Sequence, residues 1–188
     1  MLNRRIFGLV AAAAPLAACA DQAMSRSPAM GGMAVAPSPG LATRAGDANA
    51  LTLQALQGGT FLMQTAQLGE QRARSAPLRE FCGFEDAEQR SVMQAMAALT
   101  GVQPPPQPLR QDQAAIVSQL QSASAGPNFD RLLVNAQLTG HREALGIYNT
   151  IAQNTGEMPG LRAVAIMAVG HINEHVAVLE RGLVRGRV

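Results

Sequence analysis

The sequence lacks the motifs of the common catalytic classes. It has no Gly-x-Ser-x-Gly elbow, no phosphate-binding loop and no strand–turn–helix dinucleotide fingerprint. It also lacks the alternating runs of β-branched residues that are typical of strands. Tryptophan is absent, and the aromatic residues are one tyrosine and five phenylalanines. A core of alanine, methionine and aliphatic side chains allows helices to approach closely, so we expect an all-α protein.

Cysteine is scarce as well, because the chain has only Cys19 and Cys82. Cys19 ends a Leu-Ala-Ala-Cys lipobox, which follows Arg4, Arg5 and the short apolar run 6–16. This order of segments is typical of a bacterial lipoprotein signal peptide. We therefore expect residues 1–18 to be removed and Cys19 to carry lipid, with an unlipidated secretory signal as the alternative. The paired arginines leave Sec and twin-arginine export both open.

The residues after the lipobox predict a location. Ala20, rather than aspartate, follows Cys19, which favours sorting to the outer membrane of a Gram-negative host, facing the periplasm. Two or more acyl chains give stable attachment to a bilayer. The segment 19–46 is rich in alanine, serine, proline, glycine and methionine without a period, as expected of a flexible tether. The predicted domain is 47–188.

Charge and thiol chemistry restrict the partners. The fifteen basic residues are all arginines, and removal of Arg4 and Arg5 leaves thirteen, against thirteen acidic residues. A net charge near zero gives no electrostatic support for binding nucleic acid. Cys82 would be the only thiol of the mature chain, beside phenylalanines, so we expect a buried structural thiol and no intramolecular disulfide. The remaining partners are the membrane, an envelope protein or a second copy of the chain.

Apolar periodicity predicts four long helices. We place them at 47–74, with a soft spot at Gly58-Gly59, and at 75–101, 128–154 and 159–182. The proline-rich stretch 103–108 cannot be helical, and a short amphipathic segment follows at 109–123. These elements predict a four-helix bundle with one longer proline-rich crossover and a short extra helix.

Polar residues interrupt the predicted core faces. Glu85 and Glu88 lie on the apolar face of the second helix, whose other members are Leu78, Phe81, Val92, Ala95 and Leu99. His141 and His175 lie on the equivalent faces of the third and fourth long helices. A buried carboxylate is costly unless it is paired or binds a metal. Two interpretations remain open: a site for one iron, manganese or zinc ion, and a structural polar layer without metal.

Two more elaborate metal sites fit less well. A di-iron centre needs two Glu-x-x-His pairs and two further glutamates, which this chain lacks. The segment from His171 through Glu174 to His175 matches H-x-x-E-H, the inverted zinc-peptidase motif. That class needs a third ligand well downstream, and little chain follows His175. A zinc peptidase is therefore the weakest alternative.

A resemblance to a known family enters at the third long helix. Gly126, Phe129 and Asp130, followed by Gln137 and His141, form the patterns G-x-x-F-D and Q-x-x-x-H. They resemble a bacterial exported family, described as putative outer-membrane proteins and as domain of unknown function 4142. The segments 78–82 and 174–176 resemble that family too. The resemblance implies a ferritin-like four-helix bundle.

The resemblance also has departures. Asp130, His141 and His175 match the family pattern, whereas Glu88-Gln89 stands where the family has Asp-His. Leu62 or Met63 stands where the first helix usually offers a glutamate. Any metal centre that the resemblance implies would have fewer ligands here.

Two functions follow from these expectations. The leading one is a lipid-anchored envelope protein whose bundle is a non-catalytic binding or envelope-associated module. The alternative is a metalloprotein that holds iron, manganese or zinc, with oxidoreductase activity left open. Its proposed ligands are Glu85, Glu88, His141 and His175, with Asp130, His171 and Glu174 supporting them. If the four ligands meet within about 5 Å at one level of the bundle, the metalloprotein is favoured.

Overall fold

The computed structural model describes residues 39–102 and 106–182, with side chains of the first helix described from Ala50 onward. Five helices form this part: α1 Pro39–Arg72, α2 Ala76–Thr100, α3 Gln111–Ser122, α4 Pro127–Gln153 and α5 Pro159–Glu180. The predicted all-α class and helix order are confirmed. The signal peptide, Cys19 and most of the predicted tether lie outside the described residues. None of the helices described is both long and apolar enough to cross a bilayer.

Local signals set the ends of α2. The Ser75 side chain accepts a hydrogen bond from the backbone N–H of Leu78, as an N-cap does. Gly101 closes the helix with φ 69°, a left-handed conformation that glycine adopts without strain. These residues explain why the predicted boundaries of this helix are confirmed.

The first helix differs from the prediction in three respects. It begins at Pro39 rather than at 47, so residues 39–46 of the predicted tether are helical. Proline at the first helical position is favourable, because its missing N–H has no partner there in any case. The helix runs without a break through Gly58 and Gly59, which were predicted to weaken it. Leu53 belongs to the apolar period that predicts this helix, but it faces outward, with 46% of its surface exposed.

The four long helices form a ring in which α1 packs on α2 and α4, and α5 packs on α4 and α2. The Asp130 carboxylate in the first turn of α4 accepts hydrogen bonds from the backbone N–H groups of Arg74 and Ser75, at 2.9 and 3.0 Å. The start of α4 therefore lies beside the start of α2. The crossover returns along the bundle through α3, whose Leu120 and Gln121 carbonyls accept hydrogen bonds from the Arg72 guanidinium at 3.0 and 3.1 Å.

Close approach between α1 and α4 depends on Gly140. A Cβ atom at this position would lie 2.6 Å from Leu62 Cδ2 and 3.0 Å from Phe61 Cε1. Both neighbours are fully buried, so only glycine allows the two helices this separation. The next residue along α4 is His141, which is fully buried beside this contact.

Candidate metal centre

Three helices bring Glu85 of α2, His141 of α4 and His175 of α5 together inside the bundle. Glu85 Oε2 lies 3.3 Å from His141 Nε2 and 2.9 Å from His175 Nδ1. The two imidazole nitrogens are 3.1 Å apart. The side chains of Glu85 and His141 have no exposed surface, and that of His175 is 15% exposed. Among the described residues, these three offer ligand atoms that all lie within 4.8 Å of one another.

Each of the three side chains has a partner on its outer side. His141 Nδ1 lies 2.7 Å from the Gln137 carbonyl oxygen, which can only accept, so the ring N–H is on Nδ1. His175 Nε2 lies 3.5 Å from Glu88 Oε2. Gln89 Nε2 donates to Glu85 Oε1 at 3.0 Å. Metal-binding histidines almost always have such partners, which fix the ring and its tautomer.

Glu85 Oε2 is a buried oxygen without a hydrogen-bond partner. It lies 3.3 Å from His141 Nε2 and 2.9 Å from His175 Nδ1, close enough for a strong electrostatic interaction with both rings. Burial alone would raise the Glu85 pKa, but the facing His141 and His175 outweigh burial and lower it to about 2. Burial lowers the pKa of His175, but the charge and hydrogen-bonding capacity of Glu85 dominate and raise it overall.

Glu88, predicted as a ligand, instead lies one layer further out. Its side chain is 22% exposed, and its Oε2 contacts His171 Nδ1 at 3.2 Å as well as His175. The core face of α2 continues through Gln89, Met93 and Met96 rather than through 88, 92, 95 and 99. At about 100° per residue, positions 88 and 89 lie on either side of the same face, and packing against α1 selected Gln89.

The H-x-x-E-H motif does not form a zinc-peptidase site. Its two histidines would have to bind the same ion. His175 turns its Nδ1 to Glu85, whereas His171 lies against Glu88 with 53% of its side chain exposed. Glu174 is exposed. Of the supporting residues predicted for the metal site, His171 contacts the cluster through Glu88.

Asp130 does not support the metal ligands, because it caps the start of α2 at the end of the bundle. It lies eleven residues before His141 on one helix, about 16 Å away along the axis at 1.5 Å per residue.

Sequence reasoning missed Gln89 and Gln137, and did not assign Phe81 to the site. The Gln137 amide donates to Thr65 Oγ1 at 2.8 Å and to the Leu62 carbonyl at 3.1 Å, which fixes α4 against α1. The Phe81 ring lies edge-on to His175, with centroids 5.2 Å apart. Gln89 and Gln137 each lie four residues before or after a predicted ligand, one helical turn away. That spacing was the available signal.

Cys82 is fully buried, as predicted. Burial is the main cause that raises its pKa to about 12, and the Glu85 charge raises it further. The thiol therefore stays protonated at neutral pH.

Comparisons with known proteins identify a family match. A family model described as "Domain of unknown function (DUF4142)" matches residues 33–181. No curated protein and no solved structure matches the chain.

Proposed function

Since the chain belongs to the DUF4142 family, whose description assigns no function, we propose a function from the site itself: the bundle binds one divalent transition-metal ion through Glu85, His141 and His175. The supporting observation is the convergence of three ligand atoms within 3.3 Å of one another in the core. Three of the four predicted ligands meet and Glu88 lies outside them, and on these three we favour the metalloprotein over the non-catalytic binding module.

Proton counting favours a metal over a metal-free polar layer. With its N–H on Nδ1, a neutral His141 presents a lone pair on Nε2 toward Glu85. One hydrogen on His175 Nδ1 can serve His141 or Glu85 but not both, which leaves an acceptor without a donor. A single cation between the three atoms satisfies all of them at once.

The ligand set suits a borderline metal. Imidazole nitrogens and a carboxylate oxygen bind Zn²⁺, Fe²⁺ and Mn²⁺, whereas thiolates would be needed for the softest ions. The outer contacts of His141 with Gln137 and of His175 with Glu88 hold both rings in the orientation that an ion requires.

The test is the metal content of the purified full chain. We would strip the protein with chelator, re-equilibrate it separately with Zn²⁺, Mn²⁺ and anaerobic Fe²⁺, and measure bound metal by inductively coupled plasma mass spectrometry. We expect about one ion per chain. His141→Ala and His175→Ala should lose the ion, while His171→Ala, a matched histidine outside the cluster, should keep it. Circular dichroism would show that each variant is folded.

Failure of the wild-type chain to retain metal would overturn the proposal. The cluster would then be a hydrogen-bonded polar layer, and the search would turn to envelope partners.

We also propose that this module is held at the periplasmic face of the outer membrane by lipid on Cys19. The support is the lipobox, the preceding arginines and apolar run, and Ala20 after the cysteine. Labelled palmitate should be incorporated into the protein, and the labelled protein should co-fractionate with the outer membrane. Cys19→Ser should abolish both, and Cys82→Ser should change neither.

A further inference from the structure

The ligand atoms of the proposed metal site form a compact triangle. Its sides are 2.9 Å between Glu85 and His175, 3.1 Å between the two histidines and 3.3 Å between Glu85 and His141. Ligands 2.0–2.2 Å from one ion lie about 2.8–3.1 Å apart at right angles and about 3.3–3.6 Å apart at tetrahedral angles. The two shorter sides match the distances for right angles, and the third matches the shortest distance for a tetrahedral angle.

Two of the three sides therefore match one face of an octahedron. Two imidazoles and one carboxylate in this arrangement leave the opposite face of the ion open to ligands from outside the protein. A closed structural zinc site would instead have four protein ligands. In the described part of the chain the cluster has three.

Burial limits what can reach the open face. Glu85 and His141 are fully buried, and the Phe81 ring covers His175 edge-on at 5.2 Å. An apolar groove of ≈ 330 Å³ lies between α2 and α5, and Glu88 and His171 help to line it. This groove would hold an organic molecule. Its lining residue Glu88 contacts His175 Nε2, whereas Nδ1 of the same ring belongs to the triangle, so the groove lies on the other side of His175.

We infer that the open face binds a small inorganic ligand of two or three atoms and excludes organic ligands. This inference rests on the proposed metal site and adds to it the class of exogenous ligand. A molecule the size of water passes between closely packed side chains during their ordinary fluctuations, whereas a ring or a branched chain needs a preformed opening.

Cobalt substitution tests the inference. The full chain loaded with Co²⁺ would be titrated with azide and, separately, with 2-methylimidazole, and followed by visible absorption. An ion with an open face should be five- or six-coordinate and show weak d–d bands. Tetrahedral Co²⁺ absorbs much more strongly, so the band intensity distinguishes the two. Azide should shift the spectrum to saturation, and 2-methylimidazole should bind about ten times more weakly or not at all.

Two variants test the size limit. Phe81→Leu shortens the cover over His175 while keeping an apolar side chain, and should admit 2-methylimidazole. Phe84→Leu changes a phenylalanine that is 67% exposed, and should behave as the wild type. If Phe81→Leu fails to fold, the contrast between azide and 2-methylimidazole in the wild type decides.

The outcomes separate the two proposals. Intense tetrahedral bands with no response to azide would overturn the open-face inference while leaving the metal site intact. Equal binding of azide and 2-methylimidazole by the wild type would overturn the size limit. Failure to bind Co²⁺ at all would overturn both proposals.

Discussion

Glu85 Oε2 and His141 Nε2 lie 3.3 Å apart, although they belong to helices on opposite sides of the ring, and neither side chain has any exposed surface. The contact crosses the centre of the bundle. It places a carboxylate in the core, where the facing His141 and His175 lower its pKa to about 2 against the opposing effect of burial.

Glu85→Gln should remove the metal ion with little change in shape. The amide keeps the size of the side chain but loses the negative charge, and its nitrogen cannot act as a ligand. We expect the affinity to fall by more than about 100-fold, beyond what the loss of an outer partner usually costs. The measurement is competition with a chromogenic chelator. Glu80→Gln, which changes an exposed glutamate of the same helix, is the control, and unchanged affinity in Glu85→Gln would contradict the site.

Glu88→Gln should weaken the binding of the metal ion without abolishing it. Glu88 contacts His175 Nε2 at 3.5 Å rather than facing the triangle, so it orients a ligand. Loss of such a partner typically costs about 10–100-fold in affinity. The same chelator competition measures it, with exposed Glu80→Gln as the control. A loss as large as that in Glu85→Gln would mean that Glu88 is itself a ligand.

Stability of the metal-free protein should decline at both ends of the pH range. Glu85, with its lowered pKa, contributes stability that is present above its unfolded value of 4.5 and is lost as the pH falls toward 2. His175, with its raised pKa, contributes stability below its unfolded value of 6.5 that is lost as the pH rises through its folded pKa. Urea midpoints measured from about pH 5 to 8 should therefore fall with rising pH.

Bound metal should reverse this fall of the urea midpoint with rising pH. Zinc binding requires both histidines without a proton on the ligand nitrogen, so protons compete with the ion. The gain in urea midpoint on adding Zn²⁺ should grow as the pH rises, and His175→Ala should show no such growth. A zinc effect that is constant across this range would argue that the ion binds elsewhere.

The spacing of α1 and α4 should depend on Gly140. A Cβ here would lie 2.6 Å from Leu62 Cδ2, so Gly140→Ala forces a buried side chain or a helix to move. We expect a loss of about 1–3 kcal/mol in the free energy of unfolding. At Gly146 on the same helix a Cβ meets no atom within 4 Å, and Gly146→Ala should gain up to about 1 kcal/mol. Urea unfolding of both variants measures the difference, and equal effects would contradict it.

The sequence was sufficient to predict the helices. It also predicted the inward face of two of the three helices that carry ligands. Ser75, Gly101 and the prolines act within one turn, so the boundaries of α2 to α5 could be read from neighbouring residues. His141 and His175 continue a period of 3.6 residues, which fixes the face on which they lie. The start of α1 at Pro39 was missed because a composition rich in alanine, glycine and proline is common to tethers and helix beginnings.

Tertiary packing decided what local pattern leaves undetermined. A helix face is wide enough to include both Glu88 and Gln89, and the contact with neighbouring helices rotated Gln89 inward and Glu88 outward. Height along the bundle is also invisible to periodicity. The family pattern that grouped Asp130 with the ligands therefore gave no sign that it lies about 16 Å away along the helix axis. The sequence by itself determined which residues are available to the core. Only the packing of three separate helices determined that Glu85, His141 and His175 share one level, because contacts between helices set rotation and axial register together.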